Sequence, residues 1–94
     1  MGSSAMTMNR FQEITLGMDT KQLVAVAGKP YEIKKTATPG TVKYIYIERF
    51  TGAPGQERQM RRYVVEVSGG RVAGKSYELE QQSLSDYALE RNAT

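Results

Sequence analysis

The chain has 94 residues, 39% of them hydrophobic and 24% charged, which is enough for one domain with a modest core and too little for two. It contains neither Cys nor His. This excludes a thiolate nucleophile, an imidazole base, disulfides and the usual zinc ligand sets, and leaves carboxylate, Lys, Tyr, Ser and Thr chemistry. The net charge of +3 is uneven: bases outnumber acids from Lys21 to Lys75, while Glu78, Glu80, Asp86 and Glu90 make the C-terminal end acidic, a pattern that fits either a solvated surface or an anionic partner.

No stretch approaches the roughly 20 apolar residues of a membrane-spanning helix. The opening MGSSAM reads as a cloning remnant, with Met6 or Met8 as alternative native starts. Residues 1–8 are expected to form a flexible N-terminus, residues 9–80 an α+β domain, and residues 81–94 a C-terminal helix or tail.

The polar stretch through Asn9 is expected to fray. In NRFQEITLG, Phe11 and Ile14 stand three apart and Asn9 and Gln12 have capping-box spacing, which predicts a helix of one or two turns broken by Gly17. Asp19 can then accept from free first-turn N–H groups, and Gln22 can reach back to it. Met18 and Leu23 have the spacing of a hydrophobic staple. Leu23, Val26 and Ala27 share a face, Gly28 can take the left-handed conformation that closes a helix, and Pro30 forbids continuation, so the second helix should end by Ala27. Two turns of helix do not hold alone, so this one must dock, and a sheet is the expected partner.

A short strand fits Tyr31 to Lys35. TVKYIYIERF, Thr41 to Phe50, sets Val42, Tyr44, Tyr46 and Phe50 against Ile45 and Ile47 and is expected to be the central or most buried strand. The stretch Thr51 to Met60 is Gly- and Pro-rich and predicts an exposed, mobile hairpin loop rather than a continued ladder. RRYVVEV, Arg61 to Val67, and RVAGKSYEL, Arg71 to Leu79, read as a hairpin around a Gly69-Gly70 turn, with Gly74 marking a bulge or a close backbone approach. Ser83 or Ser85 can cap a third short helix carrying Leu84, Tyr87 and Ala88 on one face. The fold class is α+β: two short N-terminal helices packed on one face of a three- to four-stranded antiparallel sheet, with a short C-terminal helix.

Gly17, Met18, the cap at Asp19, the apolar Leu23 and Val26, then Gly28 and Pro30, preceded by Asn9, Phe11 and Ile14 and followed by the aromatic strand Tyr44 to Ile47, resemble the SmpA/OmlA (BamE-like) family of small outer-membrane lipoproteins. The likeness spans Asn9 to Leu79, and its specific part is Gly17 to Pro30. Asp19 stands where the family more often has Thr, the lipid-bearing Cys is missing from the sequence, and the acidic C-terminal helix has no counterpart. The resemblance implies a non-catalytic scaffold whose loop and sheet surface touches envelope proteins, outer-membrane assembly components among them, and anionic phospholipid. It implies the periplasmic face of the outer membrane if a lipid-anchor Cys precedes the sequence. The same helix-helix-sheet unit occurs in β-lactamase-inhibitor-like proteins, so the likeness speaks more firmly to fold than to function.

Gly17, Met18, Asp19, Gly28 and Pro30 are read as structural signals that aim a helix, not as a binding site. The candidate binding residues are Phe50, Arg58, Arg61, Arg62 and Tyr63, because Arg beside aromatic rings is enriched at interfaces and pairs with phosphate or carboxylate. Tyr44, Tyr46 and Tyr63 fit a half-buried sheet core at least as well. Glu48 and Glu66 do not converge on a nucleophile, base and oxyanion site, so no enzyme, cofactor or metal is expected. Two alternatives are a basic sheet whose tyrosines stack on nucleic-acid bases, against which the low charge speaks, and an inhibitor that inserts the Thr51 to Met60 loop into an enzyme cleft. Short terminal helices and a long hairpin loop also leave a domain-swapped dimer open.

Overall fold

The computed structural model describes residues 6–51 and 58–82. Helices α1 (Met8–Gln12) and α2 (Thr20–Ala27) precede four strands, β1 (Glu32–Lys35), β2 (Thr41–Thr51), β3 (Arg58–Ser68) and β4 (Arg71–Gln82). The strands form one antiparallel sheet in the order β1-β2-β3-β4, giving an α+β fold.

The first helix is capped two residues earlier than expected. Thr7, not Asn9, is the N-cap, its hydroxyl oxygen accepting from the Arg10 N–H at 3.2 Å. That start makes Met6 and Phe11 the two halves of a hydrophobic staple, and both are buried. The expectation of a frayed, flexible chain up to residue 8 is therefore corrected: Met6 belongs to the core, and residues 1–5 lie outside the described part. The helix also stops at Gln12, short of Gly17, and Ile14 is buried from the connection that follows.

Asp19 caps α2 in a complete capping box: its carboxylate accepts from the Gln22 N–H at 2.8 Å, and the Gln22 side chain accepts from the Asp19 N–H at 3.0 Å. Leu23 and Ala27 are fully buried, and Met18 and Val26 pack beside them. Gly28 ends the helix at φ 82°, ψ −169°, a region essentially reserved for glycine. The Tyr46 hydroxyl donates to the Gly28 carbonyl at 3.0 Å, so β2 supplies a partner for the backbone just past the helix end.

Gly69 and Gly70 take φ 59° and 78°, the paired positive φ values of a two-residue turn that matches strand twist. Pairing of β2 with β3 runs from Thr41↔Ser68 to Thr51↔Arg58. The expected loop over Thr51 to Met60 therefore shrinks: residues 58–60 are strand, because Gly and Pro are confined to positions 52–55 and the rest of the segment suits a ladder. Residues 52–57 lie outside the described part, and so does the helix expected after Ser83. β4 runs to Gln82, so residues 81 and 82 continue the sheet and do not begin a tail.

The most buried strand is β3, not β2. Tyr63, Val65 and Val67 are all within 3% of full burial, because β3 has a full-length neighbour on each side, whereas the outer side of β2 meets only the four residues of β1. Phe11, Ile14, Leu23 and Ala27 share one apolar cluster with Tyr46, Tyr63, Val65, Val67 and Val72.

Candidate functional site

The register of the sheet creates cross-strand rows. Tyr46, Tyr63 and Tyr77 stand opposite one another, and the next row outward is Glu48, Arg61 and Leu79. A bulge puts the last member of each row there. Val67 pairs with Val72 but Glu66 pairs with Gly74, which leaves Ala73 as an extra residue. A one-residue slip exchanges the two faces of a strand, so without the bulge Tyr77 and Leu79 would emerge on the opposite side from Tyr63 and Arg61. Gly74, flagged in the sequence, adjoins this irregularity, and a Cβ there would come within 3.4 Å of the Glu66 carboxylate.

Glu48 and Arg61, both about four-fifths buried, form a salt bridge of 2.9 Å. The Tyr63 hydroxyl accepts from the Arg61 guanidinium at 3.2 Å and donates to the same Glu48 oxygen. The guanidinium also lies 5.0 Å from the Phe50 ring centre, a cation–π distance. Burial, then the hydrogen bond to Glu48, pushes the Tyr63 hydroxyl above its ordinary range. The hydrogen bond to Tyr63 is the main cause that holds Arg61 above its own. Beside this cluster, Tyr77 and Leu79 are 49% and 53% exposed, and Phe11 contacts both Tyr63 and Tyr77 at 4.9 and 5.6 Å between ring centres.

The structure thus brings Phe50, Arg61 and Tyr63 together. Tyr63 has no exposed surface and holds Glu48 and Arg61 in place from below. Arg62 is set apart: it pairs with Ile47 and Glu78 and, being adjacent to Arg61 in a strand, faces the other way. Arg58 opens β3 opposite Thr51. Glu48, Tyr77 and Leu79 were not among the expected site residues. Glu48 was legible from strand alternation with Phe50, but the other two depend on the bulge.

The motif residues do more than start a helix. The Gly17 N–H donates to the Val72 carbonyl and the Val72 N–H to the Met18 carbonyl, both at 2.8 Å, while the backbone of Asp19 forms an isolated antiparallel β-bridge with that of Arg71. The Arg71 guanidinium also reaches the Gly17 carbonyl at 2.8 Å. Gly17, at φ 89°, lets the chain turn alongside the outer edge of β4 before α2 begins. Lys75 donates to the Phe11 carbonyl at 2.9 Å and sits 4.8 Å from the Phe11 ring centre, fastening α1 to the same strand.

Tyr46 and Tyr63 are enclosed in the core, so their rings have no face to offer a nucleic-acid base, and Tyr44 packs half-buried against the same cluster. Burial pushes the Tyr46 hydroxyl up to about 12. Among the described residues no group of three carboxylates converges to hold a metal ion. Comparison with known proteins finds no matching family model, no similar curated protein and no similar solved structure.

Proposed function

We propose that the chain is a non-catalytic protein-interaction module of the bacterial envelope, similar to the SmpA/OmlA scaffold lipoproteins, with both helices seated on one sheet face and the outer end of that face as the contact surface. The observation that carries this reading is the cluster of Glu48, Phe50 and Arg61 beside the half-exposed Tyr77 and Leu79. An Arg fixed by a carboxylate and a hydroxyl has little conformational freedom left to lose on binding, and its aromatic and aliphatic neighbours supply the apolar area that interface centres use. The common core of Phe11, Leu23, Tyr46 and Tyr63 supports the seating of the helices.

The Gly17 to Pro30 likeness supplies the envelope setting. The partners are envelope proteins, outer-membrane assembly components first, and Arg62 on the other face is the contact for anionic phospholipid. The module sits at the periplasmic face of the outer membrane when a lipidated Cys precedes it.

The test begins with the source gene, where a signal peptide ending in Cys ahead of this sequence is expected. The full protein is then cross-linked in cells and its outer-membrane assembly partners identified. Leu79→Arg and Arg61→Ala should each lower the cross-linked yield at least tenfold, with Lys21→Ala as an unaffected control. A cytosolic start with no such partner would remove the envelope reading.

A further inference from the structure

The two outer strands of the sheet are treated differently. The first residues of β4 are covered by Gly17 to Asp19, whereas β1 is exposed at all four positions. The direction of the β1 backbone follows from its neighbours. The Gly69 N–H donates to the Gly40 carbonyl, so even-numbered residues of β2 point their peptide groups toward β3 and odd-numbered ones toward β1. The Thr36 N–H accordingly donates to the Thr41 carbonyl. Glu32 and Lys34, paired with Ile45 and Lys43, therefore point inward, and the N–H and C=O of Ile33 point out from the edge.

We propose that this edge pairs with a second copy of itself, joining two sheets into one continuous eight-stranded sheet about a two-fold axis through Ile33. The sequence of β1, Glu-Ile-Lys-Lys, fixes the register. With Ile33 opposite Ile33 of the second copy, each Ile33 exchanges both outward hydrogen bonds with its mate, and each Glu32 stands opposite a Lys34. Sliding the pair by two residues puts Glu32 opposite Glu32 or Lys34 opposite Lys34, which like charges oppose.

The same contact answers two other features of this edge. Tyr31 and Ile33 are 68% and 52% exposed, and the mate covers Ile33 with its own Ile33. Lys34 stands directly opposite Lys43 within the chain, an unfavourable pairing that the mate's Glu32 offsets. The interface is isologous and closes at two copies. Being short, it belongs with weak, transient interfaces, and its ion pairs make it salt-sensitive.

Sedimentation equilibrium of the whole chain over about a hundredfold range of concentration tests this by mass action. Reversible monomer–dimer association is expected, weakening in high salt. Ile33→Pro removes an N–H that the β1–β2 ladder does not use, so the fold should persist by circular dichroism while dimerisation weakens at least tenfold. Glu32→Lys and Lys34→Glu should each be monomeric alone and form a heterodimer when mixed, because the mixture restores both opposite-charge pairs.

A wild-type chain that stays monomeric throughout overturns the proposal. So does a dimer indifferent to Ile33→Pro, which would mark a domain swap or another surface, and so does growth beyond dimers, which would mark β1 joining β4 head to tail. Should Ile33→Pro fail to fold, the mixing experiment decides, and no heterodimer overturns the proposal.

Discussion

The face of the sheet that carries Tyr46 and Tyr63 has two unlike ends. Toward the Gly69-Gly70 turn it is mainly apolar, with Val65, Val67 and Val72 buried together with Leu23 and Ala27, and Lys75, opposite Val65, reaching the Phe11 carbonyl. Toward the connection between β2 and β3 it becomes charged and aromatic, with Glu48, Arg61 and Phe50 in contact and Tyr77 and Leu79 half in solvent. Tyr63 is the boundary, its ring in the core and its hydroxyl in the ionic cluster. The difference teaches that alternation specifies a face but not its character along the strand: β2, β3 and β4 run 11 or 12 residues, long enough for one face to pass from apolar to charged.

The largest effect should come from the boundary residue. Tyr63→Ala removes a fully buried ring and its hydroxyl and should cost about 3–5 kcal/mol in denaturant unfolding. A much smaller value would mean the two ends are not joined through it.

Alkaline titration probes the apolar end. The Tyr46 hydroxyl ionises near pH 10 in the unfolded chain and near 12 in the fold, so its contribution is complete below pH 10 and is lost as pH rises toward 12. The loss should be on the order of 2–3 kcal/mol, with Tyr63 adding in the same direction, and Tyr46→Phe should flatten the profile between those pH values.

At the charged end, Glu48→Ala takes away the acceptor for both Arg61 and Tyr63 and should cost about 1–3 kcal/mol by urea unfolding. A double-mutant cycle with Arg61→Ala separates the ion pair from the hydroxyl bond. The Asp19 cap lies apart from both ends, and Asp19→Ala should cost about 1 kcal/mol. Smallest of all, Leu79→Ser should change stability by less than about 0.5 kcal/mol, because the residue is already half in solvent. A large loss there would show that the exposed end is core after all.

Local chemistry was the most legible part of the sequence. Asp19, Gln22 and the Gly69-Gly70 turn each act through neighbours within a few residues, and the structure has them as read, whereas Gly28 closes the helix at φ 82°, ψ −169° and not in the left-handed conformation expected of it. The first helix was misplaced because Thr7 and Asn9 are both competent caps, and the deciding signal, the staple spacing of Met6 and Phe11 around Thr7, was not used. The greater burial of β3 depends on how long its neighbours are.

The candidate site was half legible for a related reason. Alternation groups Phe50 with Glu48 and separates Arg61 from Arg62, but only the bulge at Ala73 decides that Tyr77 and Leu79 join them. Nothing nearby in sequence announces that Gly17 to Asp19 will lie along β4, 54 residues on from Gly17 to Arg71.

That last contact has a consequence for the order of folding. Every pairing inside the sheet links consecutive strands, so the sheet can assemble hairpin by hairpin through short loop closures. The clasp between Gly17 and Arg71 closes over 54 residues, a far costlier loop, so it is expected to form after the hairpins, and it gathers the N-terminal segment onto β4. Weakening it by Arg71→Ala should quicken unfolding while leaving the folding rate almost untouched, the signature of an interaction formed after the rate-limiting step.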